Sequence, residues 1–269
     1  MTNSRAAIWV VGDSTAAAFD DPFYIPRQGW GEQLSRYLRA DVFNLAHSGA
    51  SSKDFATMPE YHTLLHGDNH TPALGQVAED NYLLIGFGHN NQKPDEARFT
   101  DPHGDHHTPG CFANSLYENY IRPALDAGVT PVLVTPIARL TEENTPESYL
   151  GASGHITATT TTAEGHIRPG GNYPQAIRDL AAAVGIHCID LTPSTIEMNI
   201  AMGENARWLH AYTTETELDK THTNAYGAKM HAWLIARLGR ELFARYLTGA
   251  PMPTYEQDFA ASLNPHYCP

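Results

Sequence analysis

Five short apolar runs constrain this chain more than any other feature: AAIWVVG (6–12), ADVFNLA (40–46), NYLLIGF (81–87), TPVLVTP (130–136) and GIHCIDL (185–191). Each is rich in β-branched or aromatic residues and reads as a strand buried on both faces. Amphipathic segments separate them. Trp30, Leu34, Tyr37 and Leu38 share one helical face, as do Ile177, Leu180, Ala181 and Val184; Phe112, Leu116, Tyr120 and Leu125 mark a further helix, and Met230, Trp233, Leu234 and Leu238 a long C-terminal one.

Strictly alternating strands and helices predict an α/β chain: a three-layer α/β/α sandwich with a flavodoxin-like, five-stranded parallel sheet in the order 2-1-3-4-5, since right-handed crossovers leave few alternatives. The 269 residues fit a single domain, 1–269, with the proline-bearing stretch 248–269 as an extended tail. Two long segments, 91–111 and 138–172, interrupt the alternation; insertions of that length in a compact domain are usually functional or mobile.

Composition removes several classes of function. A formal net charge of −13 opposes binding to a phosphate backbone, so no nucleic-acid partner is expected. No apolar run approaches the roughly 20 residues that cross a bilayer, so no membrane partner is expected either. The N-terminus enters the first strand almost at once, leaving no room for a signal peptide, which predicts a cytoplasmic protein, or a secreted one whose leader is absent from this sequence. Cys111, Cys188 and Cys268 are widely spaced and odd in number, and read as free thiols. The first loop lacks both Gly-x-Gly-x-x-Gly and a phosphate cradle ending in Lys-Ser/Thr, so no nucleotide cofactor is expected.

Two histidine groups invite a metal reading. His103, Asp105, His106 and His107 fall within five residues, but Pro102, Gly104, Pro109 and Gly110 make that stretch a solvated loop, and no second cluster completes it. His62, His66 and His70 have helical spacing but run into GDNHTP, which ends a helix. No metal is expected at either.

In an open α/β sheet, ligands bind beyond the carboxyl ends of the strands, where strand order reverses. That rule selects Gly12-Asp13-Ser14-Thr15, HSGASS (47–52) and GHNNQK (88–93). With the order 2-1-3, strands two and three flank strand one, which brings Gly49 and Asn90 toward Ser14. A serine hydroxyl becomes a nucleophile only when a base takes its proton, and the base needs an orienting group. Asp219 stands three residues before His222, a spacing at which one turn holds both side chains. By itself that spacing fits equally well polar residues capping the helix NAYGAKMHAWLIARL.

GDST (12–15), NLAHSGAS (44–51), GHNN (88–91) and DKTH (219–222) resemble, in order, the four blocks of the SGNH (GDSL-type) hydrolase family. GDSTAA, GWGEQL, GFGHN, LVTPIAR, IDLT and DKTHTNAYGA are similar, more narrowly, to its rhamnogalacturonan acetylesterase branch. The resemblance implies a serine esterase without cofactor: Ser14 as nucleophile, His222 as general base and then acid, Asp219 as orienting carboxylate. It implies an oxyanion hole made of the Ser14 and Gly49 amides with the Asn90 side chain. It gives Asp13 a supporting role in the nucleophile loop, and places His89 on the structural or substrate side. Arg139, after the fourth strand, is a second candidate for holding substrate. The implied substrate is an acetylated oligosaccharide, pectic or related; a lipase-like or thioesterase-like activity on other acyl esters is the alternative, though no apolar lid is evident. Asn91 stands where the branch often has an acid, Ala50 where it often has Arg, and Thr223 where an aromatic is common. These departures are expected on the substrate side, where they would alter how the sugar is held.

Overall fold

All seven residues of β1 (Ala6–Gly12) are buried in the computed structural model, which describes residues 5–24, 26–77, 80–212 and 217–255. β2 (Ala40–Asn44), β3 (Asn81–Gly86), β4 (Thr130–Val134) and β5 (His187–Ile189) join it in one parallel sheet. The spatial order is 2-1-3-4-5, as the alternation predicts. The side-chain period of two divides each central strand between two cores. Trp9, Val11, Leu83 and Ile85 face one layer, with Phe55, Phe87, Tyr120 and Ile177. Ile8, Val10, Leu84 and Val132 face the other, with Trp30, Leu34, Ile235 and Phe243.

The two edge strands depart from the expectation of burial on both faces. In β2 only Ala40 is buried and Asp41 is exposed, while β5 shrinks to three residues with His187 exposed. Each edge strand has a neighbour on one side only, so the covering layers reach it incompletely.

The helical segments follow the apolar spacing with three differences. The face Trp30, Leu34, Tyr37, Leu38 is not one helix: a 3-10 turn (Trp30–Gln33) runs into the single-turn α1 (Leu34–Tyr37). Leu38 is extended, because β2 begins two residues later, yet it stays buried and bridges Leu247. After α2 (Pro59–His66), α3 runs Phe112–Leu116, then a π turn (Tyr117–Ile121), then Arg122–Asp126. Buried Phe112, Leu116, Tyr120 and Ala124 recur every fourth residue, a spacing that the wider π turn keeps on one face. Leu125 falls off that face and is half exposed. α4 (Tyr173–Val184), α5 (Leu191–Met202) and α6 (Ala225–Leu238) complete the layers. Leu238, expected on the buried face of α6, is exposed at its last position.

An antiparallel pair, β6 (His210–Tyr212) and β7 (Leu218–Thr223), lies outside the main sheet. The segments 91–111 and 138–172 are tied to the body. The Tyr173 hydroxyl donates to the carbonyls of Asn91 (3.1 Å) and Thr100 (2.8 Å), and His155 is fully buried. Cys111 and Cys188 are free thiols; Cys268 and the tail beyond Tyr255 lie outside the described residues. Among the described residues, no helix is long and apolar enough to cross a membrane.

Candidate active site

Ser14 sits in the tight turn that leaves β1. The Asp13 carbonyl accepts from the amides of Ala16 (3.1 Å) and Ala17 (3.2 Å), so the chain reverses at the serine. The buried Asp13 carboxylate braces this turn: Oδ1 accepts from the Thr15 amide (3.0 Å) and hydroxyl (2.8 Å), and Oδ2 from the His89 amide (3.3 Å). Burial pushes the Asp13 carboxyl up, but His89 and the Thr15 donors outweigh it and hold the group below its ordinary value. Asp13 therefore links the loops after β1 and β3 as an anion.

His222 arrives from a distant part of the chain. Its Nε2 lies 2.8 Å from Ser14 Oγ, and its Nδ1 lies 2.7 Å from Asp219 Oδ2. A carboxylate only accepts, so Nδ1 carries a proton; a ring with that proton alone offers a bare Nε2 to the serine hydroxyl. The Asp-x-x-His spacing works through a local side-chain-to-backbone motif: Asp219 Oδ1 accepts from the amides of Thr221 and His222, both at 2.9 Å. This happens inside β7 and not in a turn opening a helix. The cap of α6 is Asn224, whose Oδ1 accepts from the Gly227 amide at 3.0 Å, so Asp219 and His222 have no part in capping. Burial raises the Asp219 carboxyl, while the His222 ring and the two amides hold it well below the usual carboxylate range.

Gly49 and Asn90 come from the loops after β2 and β3. Gly49 has φ +86, a left-handed conformation that favours glycine. Asn90, only 6% exposed, donates from Nδ2 to the Ala50 carbonyl at 3.0 Å, tying the two loops together and leaving the second amide hydrogen for another acceptor. Among the described residues, neither the Ser14 nor the Gly49 amide meets a protein acceptor.

His89 and Arg139 line one cavity. His89 is 4% exposed, with Nδ1 at 3.4 Å from Asp13 Oδ2 and its ring 4.4 Å from that of His155. Arg139 donates to the Ala152 carbonyl (2.8 Å) and weakly to the His89 carbonyl (3.4 Å). Arg139 has no carboxylate partner among the described residues, and it lines a cavity of about 400 Å³ together with His89, Lys93, Phe99 and Arg168. The three departures from the branch pattern lie in the interior and not on a substrate face. Ala50 and Asn91 are 0% exposed and Thr223 1%. Asn91 Nδ2 donates to the hydroxyls of Ser52 (2.8 Å) and Thr100 (2.9 Å), and the Thr223 hydroxyl donates to the Gln28 carbonyl (2.8 Å).

Neither histidine group forms a ligand set. Asp105 instead closes its own loop through the His107 amide and Thr108 hydroxyl, while His62 and His66 stack with ring centroids 4.5 Å apart. Among the described residues, no group of three or more His, Cys, Asp or Glu is placed to hold a metal.

Arg27 is the residue that motif reading misses. Its guanidinium donates to the same Asp219 Oδ2 at 2.8 Å. No family block includes Arg27, and its distance along the chain from Asp219 left no periodic or local signal.

Four buried histidines predict an acid-sensitive fold. Burial pushes His89 down and His155 well down, His210 to about 4 and His231 to about 3. An unfolded histidine takes its proton near 6.5, whereas the folded His210 stays neutral until about pH 4. Between those values the unfolded state binds more protons, so stability is lost as pH falls. Urea unfolding at pH 7 and pH 5 should show a loss on the order of 2 kcal/mol for His210 and for His231, with His89 and His155 acting in the same direction; an unchanged midpoint would contradict these neutral burials.

A parallel sheet of order 2-1-3-4-5, with a serine, a histidine and an aspartate in one hydrogen-bonded line beyond its carboxyl edge, defines the SGNH class of α/β hydrolases. The chain belongs to the GDSL-like lipase/acylhydrolase family, whose profile matches residues 10–230. It is 27% identical to the rhamnogalacturonan acetylesterase RhgT of Bacillus subtilis strain 168 over 258 residues, 90% of this chain and 93% of that protein. It is 26% identical to YesY of the same organism, described as a probable rhamnogalacturonan acetylesterase, over 87% of this chain and 93% of that one. A Bacillus subtilis protein of known crystal structure superposes with a TM-score of 0.61 at 21% identity, covering 89% of this chain and 57% of the other, and so shares the fold.

Proposed function

We propose that this chain is a serine-dependent carbohydrate O-acetylesterase, with one domain serving as the whole catalytic unit and an acetylated pectic or related oligosaccharide as substrate. The observation that carries the reading is the bridging imidazole, 2.8 Å from Ser14 Oγ and 2.7 Å from Asp219 Oδ2. The names of RhgT and YesY support the acetylated-sugar half of it.

In this mechanism Ser14 Oγ attacks the acetyl carbonyl carbon while its proton passes to His222 Nε2. The imidazolium faces Asp219, which offsets its charge without taking the proton. Negative charge on the former carbonyl oxygen meets the Ser14 and Gly49 amides and the spare hydrogen of Asn90 Nδ2. The sugar oxygen then leaves with the proton from Nε2, and an acetyl-serine remains. A water molecule gives a proton to Nε2 and attacks the ester carbon; as the intermediate collapses, Nε2 returns that proton to Ser14 Oγ, the Oγ–acetyl bond breaks, and acetic acid departs, ionising to acetate in solvent. His89 and Arg139 belong to the substrate side in this reading, Arg139 as a cation on the cavity wall.

Removing the Asn90 donor in Asn90→Ala should lower kcat by roughly 10²- to 10³-fold with a smaller change in KM, because the hydrogen bond is made to charge that develops only in the transition state. Steady-state kinetics on p-nitrophenyl acetate checks this. The substrate is tested by acetate release from acetylated pectin, xylan and rhamnogalacturonan oligosaccharides beside p-nitrophenyl acetate and octanoate. Serine-dependent release favouring one glycan is expected. Preference for octanoate would replace the acetylesterase reading with a lipase-like one.

A further inference from the structure

We propose that Arg27 is a positioning residue: its guanidinium fixes Asp219 Oδ2 for the imidazole and, by its charge, offsets part of the carboxylate's field at the ring. The role rests on the reading of Ser14, His222 and Asp219 as one catalytic unit.

Two donors converge on a single oxygen. Arg27 Nη2 lies 2.8 Å and His222 Nδ1 2.7 Å from Asp219 Oδ2, while Oδ1 is filled by the two amides of β7. The carboxylate thus has no freedom to rotate without losing a donor. The ion pair is screened from water, with the Asp219 side chain 9% and the Arg27 side chain 20% exposed, which makes it stronger than a surface pair.

Arg27 is itself held in place from several directions. Its amide donates to the Tyr24 carbonyl (2.7 Å), and its guanidinium lies over the Tyr24 ring at 5.3 Å. The next residue, Gln28, is clamped to β7: its amide donates to the Thr223 carbonyl and its carbonyl accepts from the Thr223 hydroxyl, both at 2.8 Å. Gly29 and Trp30 donate in turn to the carbonyls of Ala17 (2.9 Å) and Thr15 (3.0 Å). One short segment therefore spans from the nucleophile turn to the strand of the base, with Arg27 at its β7 end.

The charge has a separate consequence. An imidazolium at His222 would face Asp219 from its own strand, the Ser14 hydroxyl from the β1 turn, the Phe19 ring edge at 6.3 Å, and the buried rings of His89 and His210, which couple to it as like charges once protonated. Asp219 is the negative group nearest the ring, and Arg27 cancels part of its field. Removing Arg27 would leave the Asp219 charge uncompensated beside the ring, which favours the imidazolium over the imidazole.

The test is a proton NMR titration of the His222 ring, assigned by its loss in His222→Asn, in the wild type, Arg27→Gln, Arg27→Met and Arg27→Lys. The two neutral variants should move the midpoint upward by roughly 0.5–1 pH unit, or about three- to tenfold tighter proton binding, and Arg27→Lys should restore most of the shift. The acid limb of kcat/KM should move with it. Arg27→Met keeps the aliphatic packing over Tyr24 and serves if Arg27→Gln does not fold. An unmoved midpoint, or activity lost equally at every pH and not recovered by lysine, would overturn the proposal. The titration needs no turnover, so a moved midpoint in a protein without Ser14-dependent hydrolysis upholds Arg27 and rejects the esterase reading alone.

Discussion

Ser14→Ala should lose roughly 10⁴- to 10⁶-fold in kcat on p-nitrophenyl acetate while keeping its fold and its thermal midpoint. The size of the loss follows from the role proposed for one oxygen: in the proposed mechanism Ser14 Oγ forms and later breaks the covalent bond, and it is the hydroxyl at 2.8 Å from His222 Nε2. Thr15, the next hydroxyl along the chain, is engaged as a donor to Asp13 Oδ1. Stability should change little, because the serine side chain fills no core and, among the described residues, its hydroxyl meets only the His222 ring. Activity within tenfold of wild type in the alanine variant would reject a serine nucleophile.

Asp219→Asn should lower kcat by about 10⁴-fold at neutral pH, a loss comparable to that expected at any group that sets the tautomer of the base. In the wild type, four donors point at this carboxylate: the amides of Thr221 and His222, the His222 Nδ1–H, and the Arg27 guanidinium. An asparagine offers one oxygen and one NH₂ group to a site built only of donors. If the oxygen stays with the amides, the NH₂ meets Nδ1 and favours the tautomer with a proton on Nε2, which cannot accept from Ser14. The same NH₂ faces Arg27 without an acceptor. The variant should therefore lose stability as well as rate, by about 1–3 kcal/mol for a buried group left unsatisfied. Urea unfolding and steady-state kinetics on one preparation separate the two effects. A variant with normal rate would mean that Asp219 does not orient the imidazole.

The central strands were legible because burial on both faces writes itself into consecutive apolar residues; the edge strands were overestimated because the same composition does not say how far a covering layer extends. The residues at the strand ends were legible through four short blocks at the places where an open α/β sheet binds ligands. Their partners were less so. Ser14 and His222 are 208 residues apart in the chain, and only their common block pattern joined them. Spacing alone left Asp219 and His222 open to a helix-capping role and the block pattern paired them; their local form, an extended strand with the carboxylate bonded to two amides ahead of it, depends on the hairpin with β6.

By itself the sequence determined the layer architecture, the strand order and the identity of the residues that meet at the carboxyl edge, because periodicity and local motifs are carried by neighbours in the chain. Tertiary structure alone decided that Arg27 shares an oxygen with His222 and that Ala50, Asn91 and Thr223 are interior. It also decided that four histidines are buried neutral. Each of these depends on which distant segments exclude water from one another, and the physical cause is desolvation and charge pairing across the fold, quantities that no local pattern of residues contains.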